Sequence, residues 1–209
     1  MKRTIKLLSL LLCFALLLCF TACGDDDYFE TTGKDPENKI GTHHAVISVE
    51  AYGNIYLELY GDIAPITVQN FMDLAKSGIY NGLSFFAISE NFFIKAGDPA
   101  VVGIDEKELT PIVGEFSLNG YKNGLSHKKG VVSMVLDNAD FNSATSKFLI
   151  VLDDELGESL NGSCAAFGKV TEGMDIIERM VETIPITNKL TGEITASQQP
   201  VIKSITIID

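Results

Sequence analysis

Ala64-Pro65-Ile66-Thr67-Val68-Gln69-Asn70-Phe71 opens an amphipathic helix. Pro65 suits the first helical turn, where its missing N–H costs nothing. Val68, Phe71, Met72 and Ala75 recur at i, i+3, i+4 and i+7, which puts them on one apolar face, and Gly78 is placed to end the helix. The chain on either side has a different period. Upstream, Ala45, Ile47 and Val49 alternate with polar residues, as do Ile55, Leu57 and Leu59, with Gly53-Asn54 between the two runs. Period two around a short turn predicts a β-hairpin. Downstream, Phe92 to Lys95, Val131 to Leu136, Phe148 to Leu152 and Ala165 to Val170 read as strands. Met174 to about Val181 reads as a second helix, stopped before Pro185, and Val201, Ile205 and Ile207 as a last strand. Strands dominate and two helices lie among them, so the expected class is mainly β, a closed sheet capped by helices.

Composition bounds the function. The 209 residues fit one domain or one domain with an appendage. A hydrophobic share of 46% excludes a mostly disordered chain. Lys and Arg number 16 against 28 Asp and Glu, a net charge of −12, and a nucleic-acid binder needs the opposite sign. Four cysteines are too few for a disulfide-stapled mini-protein.

The hydrophobic content is unevenly spread. Lys2, Arg3 and Lys6 precede an apolar run from Leu7 to Phe20, then Thr21, Ala22 and Cys23. Residues 1–22 read as a secretory signal peptide, since the run is short for a membrane span. Phe20-Thr21-Ala22-Cys23 resembles a bacterial lipobox, whose Cys is lipidated; the alternative is an ordinary secreted protein cut nearby. Cleavage there would lower the net charge from −12 to −15 and leave Cys164 as the one free thiol, without an intrachain partner. Residues 23–42 then form a lipidated, acidic linker rich in Asp, Gly, Thr and Asn, expected to be solvated. Asp25-Asp26-Asp27 resembles the export tag of surface lipoproteins in some Gram-negative bacteria, or is a solubilising charge run. The expected location is a Gram-negative cell envelope, facing the periplasm or the cell surface, and the domain proper is 43–209.

A series of motifs carries the reading further. Ala64 to Phe71 resembles the A-P-x-T-V-x-N-F helix of cyclophilins, and Phe92-Phe93-Ile94-Lys95-Ala96-Gly97-Asp98-Pro99 their F-M-I-Q-G-G-D-P segment. Leu125 to Met134 resembles the approach to their G-x-L-S-M strand, and Ser146-Lys147-Phe148-Leu149-Ile150 their S-Q-F-F-I. Leu160-Asn161-Gly162 and Phe167-Gly168-Lys169-Val170 follow in family order. The resemblance spans about Ala45 to Ile208. It implies a closed eight-stranded antiparallel barrel capped by two α-helices, and peptidyl-prolyl cis–trans isomerisation, a step with an intrinsic barrier of about 18–20 kcal/mol. It implies no cofactor and no metal. The implied partners are proline-containing peptide segments or an envelope protein, with the membrane reached through a lipid anchor at Cys23 and the chain a monomer.

The resemblance also marks departures. The family donates a hydrogen bond to the imide nitrogen from the Arg of F-H-R-V, but that segment here is Phe85-Phe86-Ala87-Ile88, and Ala87 cannot donate. Phe86 stands for the His. The Gln that steadies the Arg matches Lys95, and the Gln of S-Q-F-F matches Lys147. Leu149 replaces the Phe at the pocket base, Cys164 a His on its wall and Ser159 a neighbouring Trp. Val135 and Leu136 take the place of a backbone-binding Ala-Asn pair, before a longer loop from Asp137 to Thr145. Phe92, Phe93, Leu149 and Leu160 keep the lining apolar. The catalytic residue is therefore unknown, with Lys95 and Lys147 as the candidate substitutes; the alternative for both is a solvated groove rim.

Other residues have plainer readings. His43 and His44 lack further ligands at metal spacing and read as a polar strand entrance. Cys164 reads as pocket wall rather than reactive thiol, His127 as structural, and Asp153-Asp154-Glu155 as an acidic loop. Three functional readings stay open: a tethered isomerase of reduced activity, a catalytically silent peptide- or protein-binding lipoprotein, and a structural lipoprotein of the envelope.

Overall fold

The computed structural model describes residues 27–137 and 140–209. The signal peptide and Cys23 lie outside the described residues. The chain runs β1 (Thr42–Val49), β2 (Gly53–Tyr60), α1 (Pro65–Lys76), β3 (Phe85–Ser89), β4 (Phe93–Ala96), β5 (Val131–Met134), β6 (Phe148–Val151), α2 (Asp154–Gly157), β7 (Ala166–Glu172), α3 (Met174–Thr183), β8 (Ile186–Asn188), β9 (Glu193–Ile194) and β10 (Ile202–Ile207). All ten strands belong to one antiparallel sheet ordered β10-β1-β2-β7-β5-β6-β4-β3-β9-β8.

Eight of these strands close on themselves. Ser84, just before β3, bridges Val201, just before β10. Around that bridge Gly82 N donates to Ile202 O at 2.9 Å, Ile202 N to Leu83 O at 2.7 Å and Phe85 N to Pro200 O at 2.9 Å. The β8–β9 hairpin branches off β3 outside the ring. It was not legible as strand, because Thr187 to Glu193 carries almost no apolar alternation.

Alternation explains the two faces. Ile55, Leu57 and Leu59 of β2 are buried, and Tyr56, Glu58 and Tyr60 between them are partly exposed. The inward set meets α1, whose buried face holds Val68, Phe71, Met72 and Ala75. Phe71 is the hub: its ring lies 5.2 Å from Tyr80, 5.7 Å from Phe148 and 5.3 Å from Phe167 between centroids.

Ala64 offers no side-chain cap to α1, and a distant carboxylate supplies one. Glu115, 1% exposed, accepts from Ile66 N at 3.2 Å and from Thr67 N and Thr67 Oγ1 at 2.8 Å each. Burial pushes its carboxyl up from the ordinary range, and these three bonds pull the other way. Gly97, at φ +87°, ends β4 where an added Cβ would stand 2.6 Å from Ser146 O, so only glycine fits the turn.

Two expectations change. The stretch before β1 does not hang free from Asp27 onward. Tyr28 bridges Leu125, Lys34 bridges Tyr121, Phe29 N donates to Gly124 O, and Lys169 Nζ lies 3.1 Å from Asp27. The segment is polar yet pinned, because its backbone pairs with the loop at 120–126, which composition does not reveal. Asp153-Asp154-Glu155 is not loop but the start of the short helix α2, with Asp153 accepting from Leu156 N at 3.0 Å.

Glu115→Ala is expected to cost about 2–4 kcal/mol, a lost cap plus buried donors without a partner. Urea denaturation measures it, and a loss under about 1 kcal/mol would mean that water or another side chain caps α1.

Candidate functional site

The groove lies on the outside of the barrel, where β3, β4, β6 and β5 run side by side. β3 pairs Ala87 with Lys95 of β4, which pairs with Leu149 of β6, which pairs with Ser133 of β5. Ala87, Lys95 and Leu149 therefore form one row across three strands on the outer face. Leu149 belongs to an apolar cluster separate from the main core, with Leu125, Val131, Val151 and Ala166 as buried members. Phe93, Val135 and Leu160 pack against it, as do Tyr60 and Ile63. Phe92 joins through its ring, 4.5 Å from that of Phe93. Phe86 occupies the bulge between Phe85 and Ala87, is half-buried and lies outside this cluster.

The charged residues settle at the edge of this apolar patch. Lys95 Nζ lies 4.7 Å from the centroid of the Phe93 ring, a cation–π contact. Burial holds its amine below the usual lysine range; Cys164 acts against that shift and the charge of Lys147 adds to it. Lys147 is neutralised, its Nζ 2.6 Å from Glu106 Oε2, while Thr145 Oγ1 donates to Glu106 Oε1 at 2.6 Å. Burial pushes the Cys164 thiol up despite Ser163 and Lys95, so it is a poor nucleophile.

The structure thus brings together Ala87, Phe92, Phe93, Lys95, Val135, Lys147, Leu149, Leu160 and Cys164. Ala87 is 6% exposed, so nothing at that position reaches out over the groove. Ser159 is exposed, its Oγ donating to Leu156 O at 2.6 Å. Sequence reasoning missed Glu106, which sits in a short 3-10 turn far from Lys147 in the chain and has no motif around it. It also missed Glu193, which β9 places beside Ala87 on the side away from Lys95.

Residues away from the groove take structural roles. His44 Nδ1 lies 2.6 Å from Asp209 Oδ2 and His43 Nδ1 3.6 Å from Asp209 Oδ1, so the pair clamps the last residue. Contacts from His44 hold the Asp209 carboxyl below the usual range. His127 is buried between Asn161 Oδ1 at 3.0 Å and Ser133 Oγ at 3.1 Å, and burial lowers its pKa.

The fold is a closed antiparallel barrel with an apolar patch on its outer face, and the comparisons place it in a family. The model of the cyclophilin type peptidyl-prolyl cis-trans isomerase/CLD family matches residues 44–208. Peptidyl-prolyl cis-trans isomerase-like 1 of Rhizopus delemar is 40% identical over 136 residues, 65% of this chain and 78% of that protein. A peptidyl-prolyl cis-trans isomerase of Acinetobacter baylyi is 37% identical over 134 residues, 61% of this chain and 66% of that protein. In structure, a Cryptosporidium parvum cyclophilin solved in the presence of the dipeptide Ala-Pro superposes with a TM-score of 0.66 at 24% identity, covering 79% of this chain and 99% of that one. This chain belongs to the cyclophilin-type peptidyl-prolyl cis-trans isomerase family.

Lys95→Met is expected to raise the melting temperature at neutral pH by about 1–2 °C, a small gain because half the side chain stays solvated. The sign follows from the lowered amine pKa. The folded state resists the charge, and that cost fades as pH rises through the folded value toward 10.5. The gain should therefore shrink at alkaline pH in a calorimetric series; a constant gain would assign it to packing alone.

Proposed function

We propose that this protein is a slow prolyl isomerase tethered in a Gram-negative cell envelope, acting on Xaa-Pro bonds of envelope proteins. The observation that carries the loss of rate is Ala87. The outward position of β3 that faces the groove holds a methyl group, which cannot stabilise the twisted imide. A preorganised transition-state donor is worth roughly 100- to 1,000-fold in rate. Residual activity rests on two remaining features. The apolar patch around Leu149, Phe93 and Leu160 can seat a proline ring. The Lys95 ammonium stands over the Phe93 ring, the cation nearest the vacated place. It is a flexible point charge without the planar fork of Arg, so it substitutes poorly.

The same intact patch favours a second reading, a barrel that holds proline-containing segments without turning them over. The two separate on one measurement. In a protease-coupled Xaa-Pro assay on the detergent-solubilised full chain, turnover should be well below that of a relative with the full F-H-R-V motif. Ala87→Arg combined with Lys95→Gln, which removes the clash of two cations, should raise kcat/KM by at least about tenfold. No gain would select the binding reading; wild-type turnover equal to the full-motif relative would sink the claim of weakened catalysis.

The tether is proposed at Cys23, on the lipobox-like sequence before it. No helix among the described residues is long and apolar enough to cross a membrane. Cys23→Ser should move the protein from the membrane to the soluble fraction, and continued attachment would count against that anchor.

A further inference from the structure

We infer that the groove selects peptides carrying an Asp or Glu beside the proline, and that Lys95 is the specificity residue that holds the carboxylate. This deepens the reading of the groove as a prolyl-peptide site and rests on it.

Three observations carry the inference. First, the two groove lysines are not equivalent. Lys147 is held by Glu106 at 2.6 Å, with Thr145 fixing that carboxylate's other oxygen. Lys95 has no carboxylate within ion-pair distance among the described residues, and its recorded partner is the face of Phe93. Glu193 is no substitute, since it stands across β3, two strand spacings or about 9.5 Å from Lys95. Second, Lys95 is half-buried in an apolar surround, with Ala87 on one side and Leu149 on the other. An ammonium in such a place is poorly solvated, and a counter-charge there gains more than at an open surface. Third, both neighbours in the row, Ala87 and Leu149, are uncharged, so neither competes for the ammonium.

The position sets the ligand. The Phe93 ring lines the apolar patch, so an ammonium above it lies beside a seated proline rather than remote from it. At roughly 3.3 Å per residue of extended peptide, it reaches a carboxylate within about two positions of the proline. A single cation of this kind discriminates charge and not shape, so Asp and Glu both qualify.

The test is binding, which does not depend on turnover. Fluorescently labelled Ala-Glu-Pro-Phe, Ala-Pro-Glu-Phe and their Gln counterparts would be titrated with the purified full-length protein by anisotropy at low and high salt. One of the acidic peptides should bind about five- to tenfold tighter than its Gln counterpart at low salt, and less so at high salt. Lys95→Gln should erase the difference and Lys95→Arg should keep it, each checked for an unchanged melting profile in the folded range. Lys76→Gln, at the exposed end of α1, serves as the charge control and should leave the preference intact. A preference that persists in Lys95→Gln, or disappears equally in Lys76→Gln, overturns the assignment to Lys95. Equal affinity for acidic and Gln peptides overturns the inference and leaves the prolyl-peptide reading standing. Failure of every peptide to bind overturns both.

Discussion

The closure of β3 against β10 is the constraint on which the rest of this structure depends. A sheet with free edges would have to protect two rows of unpaired backbone groups. Here the Ser84–Val201 bridge and the bonds beside it join the ends of the eight-strand ribbon. Closure divides every strand into an inside and an outside. The inside takes Phe71, Tyr80, Phe148 and Phe167 into one aromatic core. The outside receives whatever alternates with that core, and the groove is built from those leftover positions.

That division lets the scaffold and the chemistry change separately. Phe148 and Ile150 of β6 are fully buried in the main core, while Leu149 between them lines the groove. A substitution at Leu149, Lys95 or Ala87 leaves the inner packing alone. The family fold is therefore kept while the outward row holds an alanine, a lysine and a leucine. One groove lysine is neutralised inside the protein by Glu106, and the other is half-buried with its ammonium over the Phe93 ring and no carboxylate paired to it among the described residues.

The segment before β1 joins the barrel through backbone pairing and ion pairs, and Ile40 at its end packs against the core. Asp27 is tied to Lys169, and the strand-like contacts at Tyr28 and Lys34 run along the 120–126 loop.

The sequence by itself determined the class of fold, the hairpin before α1 and the strands from Phe92 onward, but not β3, whose Phe85-Phe86-Ala87-Ile88 run does not alternate. These follow from periods of two and 3.6 and from motifs whose residues are neighbours in the chain. It also placed Ala87 in a contiguous motif, at the position where the resemblance expects a donor. The pairing of Lys147 with Glu106, the capping of α1 by Glu115, the place of Glu193 beside Ala87 and the docking of residues 27–34 were decided only by the tertiary structure. Each joins residues tens of positions apart, and hydrogen bonds and ion pairs leave no periodic trace in a sequence. Two lysines that read alike in the chain thus became a neutralised pair and a single poorly solvated charge, because only folding brought a carboxylate to one of them.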